Sequence, residues 1–129
     1  MAVLDAEVER RALAAAKVLA QLGTVRAVYA FGSCVEGRAD RWSDIDLAIF
    51  LEGVETWDIR RRARAMTRAQ REAGLDIETH LFPASALYRP EPGSFASYVL
   101  ERGVRLPHDG GQIEKKDSGS SKRGKAGCL

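Results

Sequence analysis

Two apolar segments with a polar loop between them most constrain how this chain can fold. The first segment, Val25–Phe31, is rich in β-branched and aromatic residues and ends at Gly32-Ser33. The second segment begins at Asp44-Ile45-Asp46 and continues to Leu51, with ten residues between Ser33 and Asp44. Segments of this composition and length are typical of buried strands bounded by turns. The sequence therefore predicts a strand, a turn and a second strand that opens on two carboxylates.

Each part of this motif suits phosphate or cation chemistry. Glycine lacks a Cβ, so Gly32 lets a phosphate approach the backbone, and the Ser33 hydroxyl can donate a hydrogen bond to it. Asp44 and Asp46 alternate with apolar residues, which places both on one strand face with Cα atoms about 6–7 Å apart. Carboxylates at that spacing can both reach Mg²⁺, an oxygen-preferring cation that commonly bridges carboxylates and substrate phosphates.

A second acidic strand is predicted over residues 75–82. Its alternation places Leu75 and Ile77 inward and Asp76, Glu78 and His80 outward. Like charges on adjacent strands destabilise a sheet unless a cation lies among them. Where the two strands are neighbours, their acidic faces together predict a cation site.

Helices and loops are predicted around these strands. Residues 4–22 have helical apolar spacing, with Asp5 as the N-cap and Gly23 as the stop. The remaining elements are a basic helix over residues 55–73, a proline-rich loop over 83–93, a short helix over 94–102 and a small strand over 104–106.

Composition supports one domain with a neutral body. The chain has 129 residues, and we assign residues 1–107 to the domain and the Gly/Ser/Lys-rich residues 108–129 to a disordered tail. The tail holds five of the twenty basic and three of the eighteen acidic residues, which leaves the body without net charge. A neutral body argues against nucleic-acid and membrane binding. Cys34 and Cys128 lie too far apart in sequence to suggest a metal motif, and a reducing, cytoplasmic setting is expected.

The motif Gly-Ser-x10-Asp-x-Asp, present as Gly32-Ser33 and Asp44-Ile45-Asp46, resembles the signature of the minimal nucleotidyltransferases in the DNA polymerase β superfamily. The resemblance implies an α/β (α+β) fold: a small mixed β-sheet with helices packed on one face. It also implies that Asp44, Asp46 and a third carboxylate bind Mg²⁺ and act in catalysis. The nucleotide-binding residues it implies are Gly32, Ser33 and Ser43. Where the family commonly has arginine, this chain has Cys34, so Arg38 or Arg41 could supply that phosphate contact.

The third carboxylate is either Glu78 or Asp76. Residues 77–82 read Ile-Glu-Thr-His-Leu-Phe and look like a version of this strand found in one branch of the family, which favours Glu78. His80, two residues further along the same face, could contact substrate.

The activity implied is transfer of a nucleoside monophosphate, AMP from ATP, to a hydroxyl of a protein or small molecule. The resemblance further implies an antitoxin that modifies a helical partner of the higher-eukaryote-and-prokaryote nucleotide-binding (HEPN) type, with an acceptor site shared with that partner.

Two alternatives to this function are a non-catalytic partner-binding module and an aminoglycoside-type nucleotidyltransferase. For the arginines of the basic helix, interleaved acids favour a solvated face over an RNA-binding one.

Overall fold

The computed structural model describes residues 5–32, 35 and 44–107. The predicted tail over residues 108–129 lies outside this part. The described elements, in chain order, are α1 (Ala6–Ala20), β1 (Val25–Phe31), β2 (Ile45–Leu51), a 3₁₀ helix (Val54–Thr56), α2 (Ile59–Ala73), β3 (Ile77–Pro83), α3 (Ser85–Tyr88), α4 (Phe95–Arg102) and β4 (Val104–Arg105). Among the described helices, none has the length and apolarity needed to cross a lipid bilayer.

The strands form one mixed sheet in the order β3-β2-β1-β4. β1 pairs antiparallel with both β2 and β4, whereas β2 and β3 are parallel. The parallel pair requires a crossover connection, which α2 supplies. The predicted mixed α/β sheet is confirmed.

The two long helices cover one face of the sheet. Asp5 caps α1 by accepting a hydrogen bond from the Glu7 amide at 2.8 Å, and Asp58 caps α2 through the Arg61 amide at 2.8 Å. The helices pack on the inward residues of the strands, so that one cluster joins Ala12, Ala15, Leu19, Ala65, Ala69 and Ala73 to Val28, Ala30, Ile45, Leu47, Ile49 and Ile77. The basic helix begins at Ile59 rather than at Glu55, because Asp58 caps it and residues 54–56 form the 3₁₀ turn.

A smaller apolar cluster lies on the opposite face. It contains Ala96 and Val99 of α4 with Ala27, Phe31, Ala48 and Phe50 of the sheet. The expectation of helices on one face therefore holds for α1 and α2, while the short α4 packs on the other face. The proline-rich loop contains the four-residue α3.

An extra residue in β1 determines which of its side chains meet each face. Val25 pairs with Leu51 and Ala27 with Phe50, so Arg26 is unmatched on β2 and forms a bulge. Val25 packs in the cluster under the long helices, and Ala27 packs in the opposite cluster. Beyond the bulge, the aromatic Tyr29 and Phe31 share the face of Asp46.

Thr79 provides a stability prediction. Its side chain is 1% exposed, and its Oγ1 has no hydrogen-bond partner among the described residues. Since a buried hydroxyl without a partner is unfavourable, Thr79→Val should raise the free energy of unfolding by about 1 kcal/mol in urea titrations. Thr56→Val is the control with the opposite sign, because Thr56 Oγ1 donates to the Gly53 carbonyl at 2.7 Å. A less stable Thr79→Val protein would show that Oγ1 is hydrogen-bonded in solution.

Candidate metal and nucleotide site

The parallel pairing of β2 and β3 brings together three potential ligands. Asp46 lies opposite Glu78 in the register, and His80 follows two residues later, opposite Ala48. Because side chains alternate along a strand, all three point to the face away from the long helices. One ligand atom from each lies within 4.8 Å of the other two. This Asp46–Glu78–His80 group, which we call the acidic cluster, is suited to hold a divalent cation.

His80 forms the inner wall of the acidic cluster. Its Nε2 lies 3.5 Å from Asp46 Oδ1 and 3.9 Å from Glu78 Oε2. That nitrogen is buried and has no hydrogen-bond partner in the described part of the chain. The imidazole ring contacts Phe31 and Phe95, with ring centroids 5.3 Å and 5.4 Å away. The aromatic rings therefore limit how far His80 can turn from the carboxylates.

Gly32 lies directly against Asp46 at the end of β1. Phe31 pairs with Asp46 in the register, and Gly32 follows it with a positive φ of 82°. A Cβ at this position would lie 2.8 Å from Asp46 Oδ2. The position therefore requires glycine for both its backbone conformation and its contact with the carboxylate.

Asp44 lies directly before β2 and is exposed. Its carboxylate is not among the ligand atoms that the structure gathers in the acidic cluster. Four other predicted nucleotide-binding residues, Ser33, Arg38, Arg41 and Ser43, lie outside the described residues. Of the predicted nucleotide-binding set, the structure thus describes Gly32 alone.

Asp76 occupies a different environment from Glu78. It precedes the first residue of β3, and its carboxylate accepts hydrogen bonds from both terminal nitrogens of Arg11 on α1. Arg11 Nε also donates to the Ala73 carbonyl at 2.7 Å, which ties α1 to the end of α2. Strand alternation predicted that Asp76 and Glu78 share a face, but the structure separates their side chains because alternation does not extend into the turn. Of these two candidate acids, Glu78 lies in the acidic cluster, and Asp76 pairs with Arg11.

The Asp76–Arg11 pair predicts a pH dependence of stability. The hydrogen bonds from Arg11 lower the pKa of the Asp76 carboxyl below its ordinary value. A lowered folded-state pKa stabilises the protein above the ordinary aspartate pKa, and the contribution is lost as pH falls through the folded-state value. At neutral pH, Asp76→Asn should lower the free energy of unfolding by at most about 1 kcal/mol, since the pair is partly exposed. The difference from wild type should shrink below about pH 4. Urea titrations from pH 7 to pH 3 test this, and a constant difference would contradict it.

Aromatic residues beside the acidic cluster were not predicted from the sequence. Phe95 and Tyr98 of α4 are 47% and 38% exposed, and both rings contact Phe31. Phe95 and Tyr98 are three residues apart in the sequence, and this spacing on a predicted helix would have indicated that they share a face. Together they form an apolar margin next to the cluster.

Two arginines of α2 contact residues just before their own helix. Arg62 donates to the Val54 carbonyl at 2.8 Å, and the Arg61 guanidinium lies 4.1 Å from the centre of the Trp57 ring. These contacts favour a structural role for this part of the basic helix.

A family profile matches most of this chain. Residues 14–106 match the sequence profile of the family described as nucleotidyltransferase domain. Among solved structures, the chain is similar to a Sulfolobus solfataricus protein provisionally named a nucleotidyltransferase, with 23% identity and a TM-score of 0.47 over 64% of this chain and 77% of that one. A search of curated proteins found no significant match. The profile match spans well over half of the chain and includes the three strands around the acidic cluster, so this protein belongs to the nucleotidyltransferase domain family.

Proposed function

We propose that the protein is a cation-dependent nucleotidyltransferase that transfers AMP from ATP to a hydroxyl group of a protein or small-molecule acceptor. The observation that carries the proposal is the acidic cluster directly beside Gly32. A nucleoside triphosphate is the substrate that the family implies. The cluster supplies the cation ligands that such a substrate needs, and Gly32 leaves room for its phosphates.

Three carboxylates have proposed roles in this reaction. Asp46 and Glu78 hold the cation, and Asp44, two residues before Asp46, is retained as a further ligand on the strength of the sequence motif. Mg²⁺ is the cation implied by the resemblance, and when bound it would neutralise charge on the phosphates and on the leaving group. Glu78, with 54% of its side chain exposed, is more open to an acceptor than Asp46, with 28%.

The reaction is an in-line displacement at phosphorus. The acceptor oxygen forms a bond to the α-phosphorus, the bond from that phosphorus to the bridging oxygen breaks, and pyrophosphate leaves. The hydroxyl proton passes to a carboxylate, for which we propose Glu78. Positioning of the acceptor and triphosphate supplies the remaining rate enhancement.

The acceptor is proposed to be a protein. The apolar margin of Phe95 and Tyr98 offers a surface against which part of a folded acceptor can pack. The resemblance to minimal nucleotidyltransferases implies a HEPN-type toxin as this acceptor, which would make the chain an antitoxin.

Labelling with α-³²P nucleotides tests the proposal. The purified protein is incubated with each of the four labelled nucleoside triphosphates, a divalent cation and a lysate of its source cells. We expect a labelled acceptor with ATP and loss of the label in Asp46→Asn. A mass shift of the isolated acceptor then identifies the group added. Absence of labelling with all four nucleotides, together with absence of cation-dependent nucleotide binding, would favour the non-catalytic binding module.

A further inference from the structure

The buried Nε2 of His80 lacks a hydrogen-bond partner among the described residues. It faces Asp46 Oδ1 at 3.5 Å and Glu78 Oε2 at 3.9 Å, beyond good hydrogen-bond length. Buried polar atoms in native structures are nearly always paired, so an unpaired one requires an explanation. An ion between His80 and the two carboxylates would supply the missing partner.

The spacing of the three ligand atoms suits a small cation. Ligands about 2.0–2.2 Å from an ion in tetrahedral geometry lie roughly 3.3–3.6 Å from one another. The distances from Nε2 to the two carboxylates are close to this range, and all three atoms lie within 4.8 Å of one another. Because Phe31 and Phe95 flank the imidazole, His80 is already oriented before an ion arrives.

We propose that His80 Nε2 is a direct ligand of the cation held by Asp46 and Glu78, and that it gives this site a preference for nitrogen-binding metal ions such as Co²⁺ or Zn²⁺ over Mg²⁺. Imidazole suits transition metals, whereas Mg²⁺ prefers oxygen ligands. The inference rests on the site of the proposed function and goes beyond it by adding a nitrogen ligand to the carboxylates and by naming a metal preference. Mg²⁺ binds through the carboxylates, and the nitrogen favours the transition metals.

Metal titrations without nucleotide test the preference. Co²⁺ and Mg²⁺ are titrated separately into the full chain by calorimetry, with Cys34 and Cys128 replaced by serine in every protein so that thiolates do not compete. His80→Gln should weaken Co²⁺ binding by about tenfold or more and change Mg²⁺ binding by less than about twofold. Glu78→Gln is the matched control and should weaken both. Equal effects of His80→Gln on the two metals, or no effect on either, would overturn the proposal.

Nitrogen NMR gives a second readout in which His80 and the rest of the site are unchanged. The chain contains two histidines, His80 and His108, so a His108→Gln protein leaves a single imidazole to observe. Addition of Zn²⁺ should shift the ¹⁵Nε2 resonance of His80. An unchanged resonance at saturating Zn²⁺ would contradict direct ligation.

The outcomes separate this inference from the proposed function. Co²⁺ binding through His80 in a protein that transfers no nucleotide would overturn the proposed function alone. Conversely, AMP transfer by a protein whose metal preference is unaffected by His80→Gln would overturn the inference alone.

Discussion

Replacement of Asp46 by asparagine should reduce kcat/KM for AMP transfer about a thousandfold. The change keeps the size of the side chain but removes the charge that lies closest to both His80 and Gly32. Cation stabilisation of a developing phosphate charge contributes several kcal/mol, and about 4 kcal/mol corresponds to three orders of magnitude in rate. Rates are measured with labelled ATP at saturating cation, on the acceptor identified by labelling.

Asp76→Asn is the matched control for Asp46→Asn. It removes the acid directly before β3, whose carboxylate accepts hydrogen bonds from Arg11 and is not part of the acidic cluster. We expect it to retain transfer within about threefold, since away from the site a surface change costs little. If Asp76→Asn lost activity as severely as Asp46→Asn while remaining folded, Asp76 rather than Glu78 would be the third catalytic acid.

Replacement of Gly32 by alanine should reduce transfer about a hundredfold. The added Cβ would lie 2.8 Å from Asp46 Oδ2, so the carboxylate must move. A displacement of about 1 Å in a catalytic arrangement can lower the rate by two orders of magnitude. The positive φ of Gly32 adds a destabilisation of about 1–2 kcal/mol for a residue with a side chain. Transfer rates and urea titrations measure the two effects separately.

Gly53→Ala separates backbone strain from the displacement of Asp46. Gly53 has a φ of 78°, nearly that of Gly32, but a Cβ there would meet nothing within 4 Å. Gly53→Ala should therefore show a similar loss of stability with transfer unchanged. Equal activity losses in both alanine variants would show that strain, rather than contact with Asp46, controls the rate.

Local patterns predicted the parts of the site that lie within regular strands. Alternation from Ile45 to Leu51 placed Asp46 away from the core, and the same rule placed Glu78 and His80 on one face of β3. The sequence cannot show that β2 and β3 are neighbours, because their pairing depends on a crossover. The resemblance to a family supplied that information, and the register then places Asp46 opposite Glu78.

The predictions failed where the chain leaves regular structure. Leu75 was predicted to be inward but is 84% exposed, because β3 begins only at Ile77. Asp76 was grouped with Glu78 by the same extrapolation. Its actual partner, Arg11, is 65 residues away in the sequence, and no local pattern indicates such a contact.

The bulge at Arg26 determines which deletions β1 should tolerate. Arg26 is exposed and pairs with Glu52, so most polar residues should replace it with little effect. Its deletion would leave Val25 and Ala27 as consecutive residues, still opposite their present partners on β2, and consecutive residues of a regular strand face opposite sides. All residues of β1 would therefore keep their present faces. Deletion of a residue within the regular part of β1 would instead exchange the two faces on one side of the deletion. Tolerance to deletion at Arg26, combined with intolerance to deletion in the rest of the strand, is therefore the genetic signature expected here.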